Sequence, residues 1–511
     1  FDYEPFADLS KRLQDLQARA FDRENLANVL HTLNINWNAP QSTLDNIERL
    51  RDPNSVVVIG GQQAGLLTGP FYTLNKVISL LQFARQQEAK WNIPVIPIFW
   101  IAGEDHDFDE INHVYLLDKE SFKKHKLRHV SVNKRPISQL MLDHDQAHQW
   151  LDEVFQHLDE TVYTKYLYQM TKECLDSSQS YVDFFAHLLF ALFKEQGLVL
   201  IDSGHEKVRQ LESDHFVNMV EKQPLIASHV YATYQQLKQA GYAITLDVDI
   251  HDAHLFYHHQ GERILLERDE DKNWVGKNQE VSLTTEELLH IGKHNPEQLS
   301  NNVVTRPLMQ ELLFPTLAFI GGDGEISYWS VLKGAFHALN IQMPPVVPRL
   351  SFTYVDRSLK KKLDKRCISC TEAINSGVNH LKINWIASQY EPPVTKMVEQ
   401  LKESLNELHE PLRKIAFDIR ADLGALAEKN LSYLFKEIDY LHDKIHQGIE
   451  DKYAHDLKEF DLIHQLLCPF GLLQERIWNP FVWMNEHGPY FITDLLQEEC
   501  SFTEDHYLVY I

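Results

Sequence analysis

The chain has 511 residues, 44% of them hydrophobic and 24% charged, with only 20 Gly and 20 Pro, a balance that fills a large core and excludes both a single small module and a disordered chain. Its 49 Lys and Arg against 73 Asp and Glu leave a formal charge of −24, which repels a phosphate backbone and argues against nucleic acid as a partner. Five cysteines are too few for a disulfide framework and fit a reducing cytoplasm, and no apolar run reaches the length of a membrane span.

The first fifty residues read as polar and helical. The first strong strand is VVVIGG (56–61), and the helix after it is expected to start with Thr68 as N-cap, carrying Leu74, Val77, Ile78 and Leu81 at helical spacing. PVIPIFWIAG from Pro94 is apolar throughout, as a strand covered on both faces should be. Strand, helix and strand in so short a span read as a right-handed βαβ unit. GLVLIDSG (197–204) and TLAFIGG (316–322) supply further strands, the latter before a helix from about Ile326. The expected fold class is α/β: a Rossmann-like parallel-sheet core built from 1–118, 181–205 and 301–390, with connective insertions at 119–180 and 206–300.

From Pro392 the pattern changes to long helix. Val398, Leu401, Leu405, Leu408, Leu412, Ile415 and Ile419 alternate three and four apart, the seam of a coiled coil, and a second seam runs from Leu431 through Leu434, Ile438, Leu441 and Ile445 to Ile449 and Tyr453. With Asp422 and Gly424 between them, a C-terminal antiparallel coiled-coil hairpin over 391–469 is the economical reading, and one continuous rod the alternative. The aromatic-rich segment 470–511, with Trp478, Trp483, Tyr490 and Phe491, is expected to pack back on the body.

Three strand-end segments carry candidate chemistry. GGQQAGLLTGPFYTLNK (60–76) joins a strand to a helix, where open α/β sheets bind ligands, and offers Gln63, Thr68, Asn75 and Lys76. It matches neither GxGxxG nor GxxxxGK[ST], and a tight structural turn is the plain alternative. IAGEDHDFDEINHVY (101–115) packs Glu104, Asp105, His106, Asp107, Asp109, Glu110 and His113 into ten positions. Acids at that density beside a buried strand end call for cations, amines or a metal. No HExxH is present, so binding an amine or hydroxyls, or acting as general base, is favoured over a metal; helix capping by Asp107 or Asp109 is the bland alternative. NNVVTRPLMQELLFPTLAFIGGDGEISYW (301–329) brings Arg306, a bidentate partner for a carboxylate, with Asp323 and Glu325 on a glycine turn, while Asn301 and Asn302 either shape a turn or bind a ligand. The three loops are expected to converge on one crevice holding a polyhydroxylated, carboxylate-bearing molecule, lined by Gln63, Thr68, Asn75, Lys76, Glu104, Asp105, His106, Asp109, Arg306 and Glu325. The CxxC at Cys367 and Cys370 has no second pair and reads as surface thiols on a helix.

These motifs, followed by MPPVVPRLS (343–351) and QERIWNPFVWMNEHGPYF (474–491), resemble in order those of the bacillithiol-synthesis cysteine-adding enzymes of Bacillales. The resemblance implies a Rossmann-type core with two connective insertions, a coiled-coil hairpin, a homodimer and a cytoplasmic ligase that joins L-cysteine to glucosaminyl-malate through an amide. It implies that the acidic loop holds the glucosamine amine and hydroxyls, with Glu104, Asp105 and His106 as catalytic candidates. Asp105 or His106 would take the proton, and Arg306 or Lys76 the malate carboxylates. A free carboxylate needs activation, so ATP is the expected cosubstrate. The HxGH and KMSKS motifs of class I synthetases are nevertheless absent, and Asn75 and Lys76 stand where HxGH would. Arg476, Trp478 and Asn479 are expected to form a second site, for ATP or ADP, near the base of the hairpin, with a simple aromatic cap as the alternative. No metal is assigned. The competing function classes are a non-catalytic nucleotide-binding partner in the same thiol pathway and a metal-dependent hydrolase using the GEDHDFDE loop.

Overall fold

Runs of β-branched and aromatic residues without polar alternation have to be covered on both faces. In the computed structural model, which describes residues 1–118, 121–128 and 134–511, these runs form one parallel sheet. Its strands are β1 (Val56–Gln62), β2 (Val95–Ile101), β3 (Val199–Asp202), β4 (Thr316–Gly321) and β5 (Val346–Pro348), in the order β5-β4-β1-β2-β3. β1 and β2 stay in register from Val56↔Val95 to Gln62↔Ile101. This packing requires Gly61, where a Cβ would lie 2.1 Å from the carbonyl oxygen of Trp100. The chain winds from β1 to β3 on one side and adds β4 and β5 on the other. The loops after β1 and β4 therefore diverge and open a crevice at the strands' carboxyl ends.

The helix after β1 corrects the expected N-cap. It spans Phe71–Trp91 behind Pro70, while Thr68 lies in a short turn, Leu66–Thr68, where Leu67 and Thr68 have φ of 46° and 66°. Such angles are costly for a branched side chain and persist only where the surroundings enforce them. The enforcing group comes from far along the chain: the Asn479 amide donates to the carbonyls of Leu67 and Gly69 at 3.0 and 2.9 Å. The helix expected from Ile326 starts earlier, at Asp323, so that Glu325 closes its first turn by accepting from the Gly322 N–H.

In the first insertion His113–Asp118 pairs with Ser121–Lys126 ahead of the helices His144–His157 and Thr164–Asp176; residues 119, 120 and 129–133 lie outside the described residues. The second insertion is a 34-residue helix, Glu206–Gln239, and an antiparallel sheet containing Asp252–His259, Glu262–Arg268 and Leu299–Asn301. Its last strand thus runs directly into the core loop that begins at Asn301.

The helices Val394–Ile419 and Ala421–Lys452 fold back on each other: Lys402 meets Asp439 and His409 meets Asn430, pairings that run in opposite directions. This is the hairpin and not the rod. The break falls at Arg420, in extended conformation, rather than at Asp422; Gly424 serves the closure, since a Cβ there would approach Phe417 to 2.7 Å. The seam also needs correcting. Val398, Leu405 and Ala416 on the first helix and Leu431, Phe435 and Ile438 on the second are buried or half-buried, whereas Leu401, Leu408, Leu412, Ile415 and Ile419 face solvent, Leu408 at 77% exposure.

The last segment returns to the body as expected, Tyr507–Tyr510 pairing in parallel with Phe352–Val355 and Trp478 and Trp483 joining the main core. Cys367 and Cys370 do not share a surface helix: Cys367 caps one helix in left-handed conformation, while Cys370 is buried beside Cys468 in a smaller core. Among the described residues no helix is long and apolar enough to cross a membrane.

Candidate active site

A cavity of about 1290 Å³ opens at the carboxyl ends of β1, β2 and β4, walled on its far side by the second insertion. Of the expected lining, Gln63, Lys76, Glu104, Asp105, His106, Arg306 and Glu325 reach it. The crevice at the strand-order reversal brings them together from three loops far apart in the chain.

Its centre is a group that the core motifs do not contain. Arg263, on the insertion strand Glu262–Arg268, is buried and stacked over Phe256 at 3.7 Å. Its Nη1 donates to His106 Nδ1 at 3.2 Å and to Asp105 Oδ1 at 3.4 Å, and its Nη2 donates to the Asn301 carbonyl at 2.6 Å. Gln63 Nε2 donates to the other oxygen of Asp105 at 2.7 Å. Burial opposes ionisation of Asp105, yet Arg263, the Gln63 amide and the His106 N–H together hold its pKa below the usual carboxylate range. Burial and Arg263 lower that of His106, which is neutral at pH 7. A guanidinium only donates, so His106 Nδ1 must accept and the proton sits on Nε2. His106 is therefore a hydrogen-bond donor to the cavity, and Asp105 the acceptor of the pair. Glu110, also on the wall, is shifted the other way: burial and the nearby Asp107 and Asp105 carboxylates raise its pKa, which suits a general base.

A second cluster lies across the crevice. Lys76 is 2% exposed, donates to the Gly61 carbonyl at 2.7 Å and pairs with Glu325. Burial depresses its pKa, and Glu325 opposes that shift. Arg306 donates to the Tyr328 hydroxyl and lies 3.9 Å from Glu325; burial pushes the Tyr328 phenol up to about 12. Arg349 is clamped by Glu475, Nη1 to Oε2 at 2.7 Å and Nη2 to Oε1 at 2.5 Å. With Arg476 these make four cationic side chains on the core side of the cavity, where Asp323 and Glu325 also lie. The insertion strands and loops opposite contribute Asp247, Asp249, Asp252, Glu267, Asp269 and Glu270, with Arg263, Arg268 and Lys277 among them. A cavity lined by charges of both signs can hold a ligand that carries both carboxylates and an amine.

Several expected site residues do other work. Glu104 reaches the cavity wall but is spent on Arg209 and on the Asn301 N–H, at 3.0 Å from the latter, so its carboxylate holds the insertion helix to the core. Thr68 is fully buried and its Oγ1 has no partner. Asn75 points away from the cavity, donating to Glu475 at 2.6 Å and accepting from the Tyr354 hydroxyl at 3.2 Å. Asp109 is exposed and pairs with Lys126 at 2.5 Å.

The three residues expected to form a nucleotide site at the hairpin base take separate places. Trp478 is buried against Phe122 and Trp483, with its indole N–H donating to Gln465 O, and Asn479 is the clamp on the β1 turn. Arg476 lies on the rim of the main cavity, 3.8 Å from Asp323. Of the acidic loop's carboxylates, Glu104 pairs with Arg209, Asp105 with Arg263 and Asp109 with Lys126. Among the described residues, the group of at least three His, Cys or carboxylate side chains whose ligand atoms all lie within 4.8 Å of one another is Asp356, Glu486 and His487, outside this cavity. Arg263, Arg349, Glu475 and Glu110 are the residues that sequence reasoning passed over. Glu110, Arg349 and Glu475 lie within IAGEDHDFDEINHVY, MPPVVPRLS and QERIWNPFVWMNEHGPYF, but an Arg in a hairpin such as HHQGERILLER carries no local signal of its destination.

Comparison with known proteins agrees with the architecture. Residues 1–350 match the family described as bacillithiol biosynthesis BshC, N-terminal Rossmann-like domain, and residues 352–511 its C-terminal coiled-coil domain. Similar curated proteins, each named "Putative cysteine ligase BshC", include one from Oceanobacillus iheyensis, 42% identical over 100% of this chain and 95% of its own length. Others come from Bacillus licheniformis, 41% identical over 99% and 95%, and from a Geobacillus strain, 40% identical over 98% and 93%. With both domain descriptions matched end to end and identity near two-fifths over the whole length, this chain belongs to the bacillithiol biosynthesis BshC family.

Proposed function

We propose that the protein is a ligase that forms the amide between the carboxylate of L-cysteine and the amine of glucosaminyl-malate. The observation that carries this reading is the charged cavity at the strand-order reversal, in which Lys76, Arg306, Arg349 and Arg476 of the core side face an insertion lining of mixed charge, rich in Asp and Glu. The malate carboxylates suit Arg306 and Lys76, where Glu325 is the group to be displaced or shared. The glucosamine amine and hydroxyls suit the side of Asp105 and His106, with Asp105 or Glu110 accepting the proton and the His106 Nε2–H donating to oxygen. The names of the full-length relatives support the same reaction class.

Condensing a free carboxylate with an amine must dispose of a carboxylate oxygen, and ATP as cosubstrate would take it up in the leaving group. Working in the cytoplasm fits five free cysteines. Incubating the purified protein with cysteine and glucosaminyl-malate, with ATP, with another nucleotide or with none, and assaying the product by mass spectrometry tests both proposals. Amide product only with ATP is expected; no product under any condition would overturn the ligase assignment, and equal product without nucleotide would overturn the role of ATP.

The protein is also proposed to be a homodimer. The helix Val394–Ile419 has 26 residues, roughly 40 Å at about 1.5 Å per residue, and along it Leu401, Leu408, Leu412, Ile415 and Ile419 form an exposed stripe that the hairpin does not cover. Leu426, Tyr433, Tyr440 and Leu441 extend the exposed apolar surface on the second helix. The heptad-like spacing of the first stripe fits a second copy of the same helix, paired by two-fold symmetry.

A further inference from the structure

Asn301 ends the insertion strand Leu299–Asn301 and opens the core loop, and its backbone is fully engaged: its N–H donates to Glu104 at 3.0 Å and its carbonyl accepts from Arg263 at 2.6 Å. Its side chain is not. The residue is 1% exposed and lies on the cavity wall, yet neither Oδ1 nor Nδ2 has a hydrogen-bond partner. Two more orphans lie on residues close to it in the chain or across the strand ladder, in which Asn301 pairs with Leu255. Arg306 Nε has no partner, nor has Nε2 of His254, whose other ring nitrogen lies 3.4 Å from the Asn302 amide. Buried polar atoms are nearly always paired in native proteins. Asn301 and Arg306 both line the cavity beside the proton-handling pair, and their unmade bonds mark a place where a ligand supplies the missing partners.

We propose that the Asn301 carboxamide holds the acceptor amine through Oδ1 and its vicinal hydroxyl through Nδ2; this rests on the ligase reading above. The chemistry selects that pair. A carboxamide offers one acceptor and one two-proton donor side by side, the complement of an amino alcohol such as the 2-amino sugar presents. It is also uncharged. A carboxylate at this position would stabilise the ammonium form and keep the nitrogen from attacking, whereas a neutral amide binds the amine without raising its pKa. The Arg263 guanidinium that grips the Asn301 carbonyl also touches Asp105 and His106, so an amine at Asn301 lies next to groups able to take its proton.

The test uses the full-length protein and the variants Asn301→Leu and Asn301→Asp, with three readouts: thermal midpoint without ligand, affinity for glucosaminyl-malate by calorimetry, and the pH profile of kcat/KM. For Asn301→Leu, an unchanged or higher midpoint is expected, because no bond is lost, together with acceptor affinity weakened roughly 10- to 100-fold. For Asn301→Asp, near wild-type acceptor affinity is expected with a kcat/KM profile whose rising limb moves to higher pH. A lower midpoint with unchanged affinity in Asn301→Leu would assign the side chain to the fold, or to an ordered water, and overturn the proposal. So would an unshifted profile in Asn301→Asp. A wild-type protein that forms no amide fails the ligase reading; a wild type that does, with an Asn301→Leu variant that binds the acceptor as well as it does, fails this inference alone.

Discussion

Arg263 is the single side chain through which the acid–histidine pair, the insertion and the loop at Asn301 are tied, and its planar fork is what allows four partners at once, Ser300 Oγ at 3.0 Å included. Arg263→Lys supplies charge without the fork. It is expected to lose at least tenfold in kcat/KM, and Arg263→Ala considerably more. In Arg263→Ala the pKa of His106 is expected to rise, since burial remains but the neighbouring cation is gone; a titration of His106 by NMR that finds no change would refute the coupling. Asp202 makes the complementary point about cost. Buried at the end of β3, it accepts from Ser138 Oγ at 2.7 Å and the Gly204 N–H at 2.9 Å, and burial raises its pKa from 3.8 to about 6. Between those values the folded protein retains a proton that the unfolded chain has lost, so stability falls as pH rises through the window and the full penalty applies above it. Asp202→Asn keeps both bonds to Oδ1. It is expected to match the wild type at pH 3.5 and exceed it by up to about 3 kcal/mol at pH 7.5, as measured by urea denaturation; an equal difference at both pH values would sink the assignment.

At the scale of elements, the turn between β1 and its helix is shaped by a segment four hundred residues away. Leu67 and Thr68 keep their positive φ because the Asn479 amide bonds the carbonyls on either side, and Glu475 from the same segment fixes Arg349 in the cavity. The C-terminal segment therefore acts on the site by holding its walls. Asn479→Ala leaves two buried carbonyls without a donor and is expected to destabilise the protein by about 2 kcal/mol, with a loss of activity that follows the loosened turn. Wild-type stability of this variant in chemical denaturation would show the clamp to be dispensable.

At the scale of the whole molecule, the hairpin divides its apolar residues between two jobs, Val398 and Leu405 closing it on itself and Leu408, Leu412 and Ile415 facing outward. The triple variant Leu408→Glu, Leu412→Glu, Ile415→Glu charges only the outer stripe. It is expected to sediment as a folded monomer at micromolar concentration, with helicity by circular dichroism unchanged, where the wild type sediments as a dimer. A wild-type monomer, or a triple variant that remains dimeric, would remove the second copy from that stripe.

The elements were legible from residue order because their signals are local. Uninterrupted apolar runs such as VVVIGG and PVIPIFWIAG demand burial on both faces, and the spacing of three and four after Pro392 demands helix. The convergence of the three strand-end loops follows from the parallel sheet, and with it the placing of Lys76, Asp105, His106, Arg306 and Glu325 in one cavity. What the tertiary structure alone decided is where each polar side chain spends its hydrogen bonds. Glu104 and Asn75 sit in the right motifs but are claimed by Arg209 and Glu475, Trp478 and Asn479 are claimed by the core, and Arg263 arrives from an insertion hairpin. The seam of the hairpin is similar: a three-four alternation defines apolar positions, but which of two adjacent stripes faces the partner helix depends on the closing turn at Arg420 and Gly424. Periodicity is a property of neighbours along the chain, while pairing is a competition among groups that only folding brings within reach.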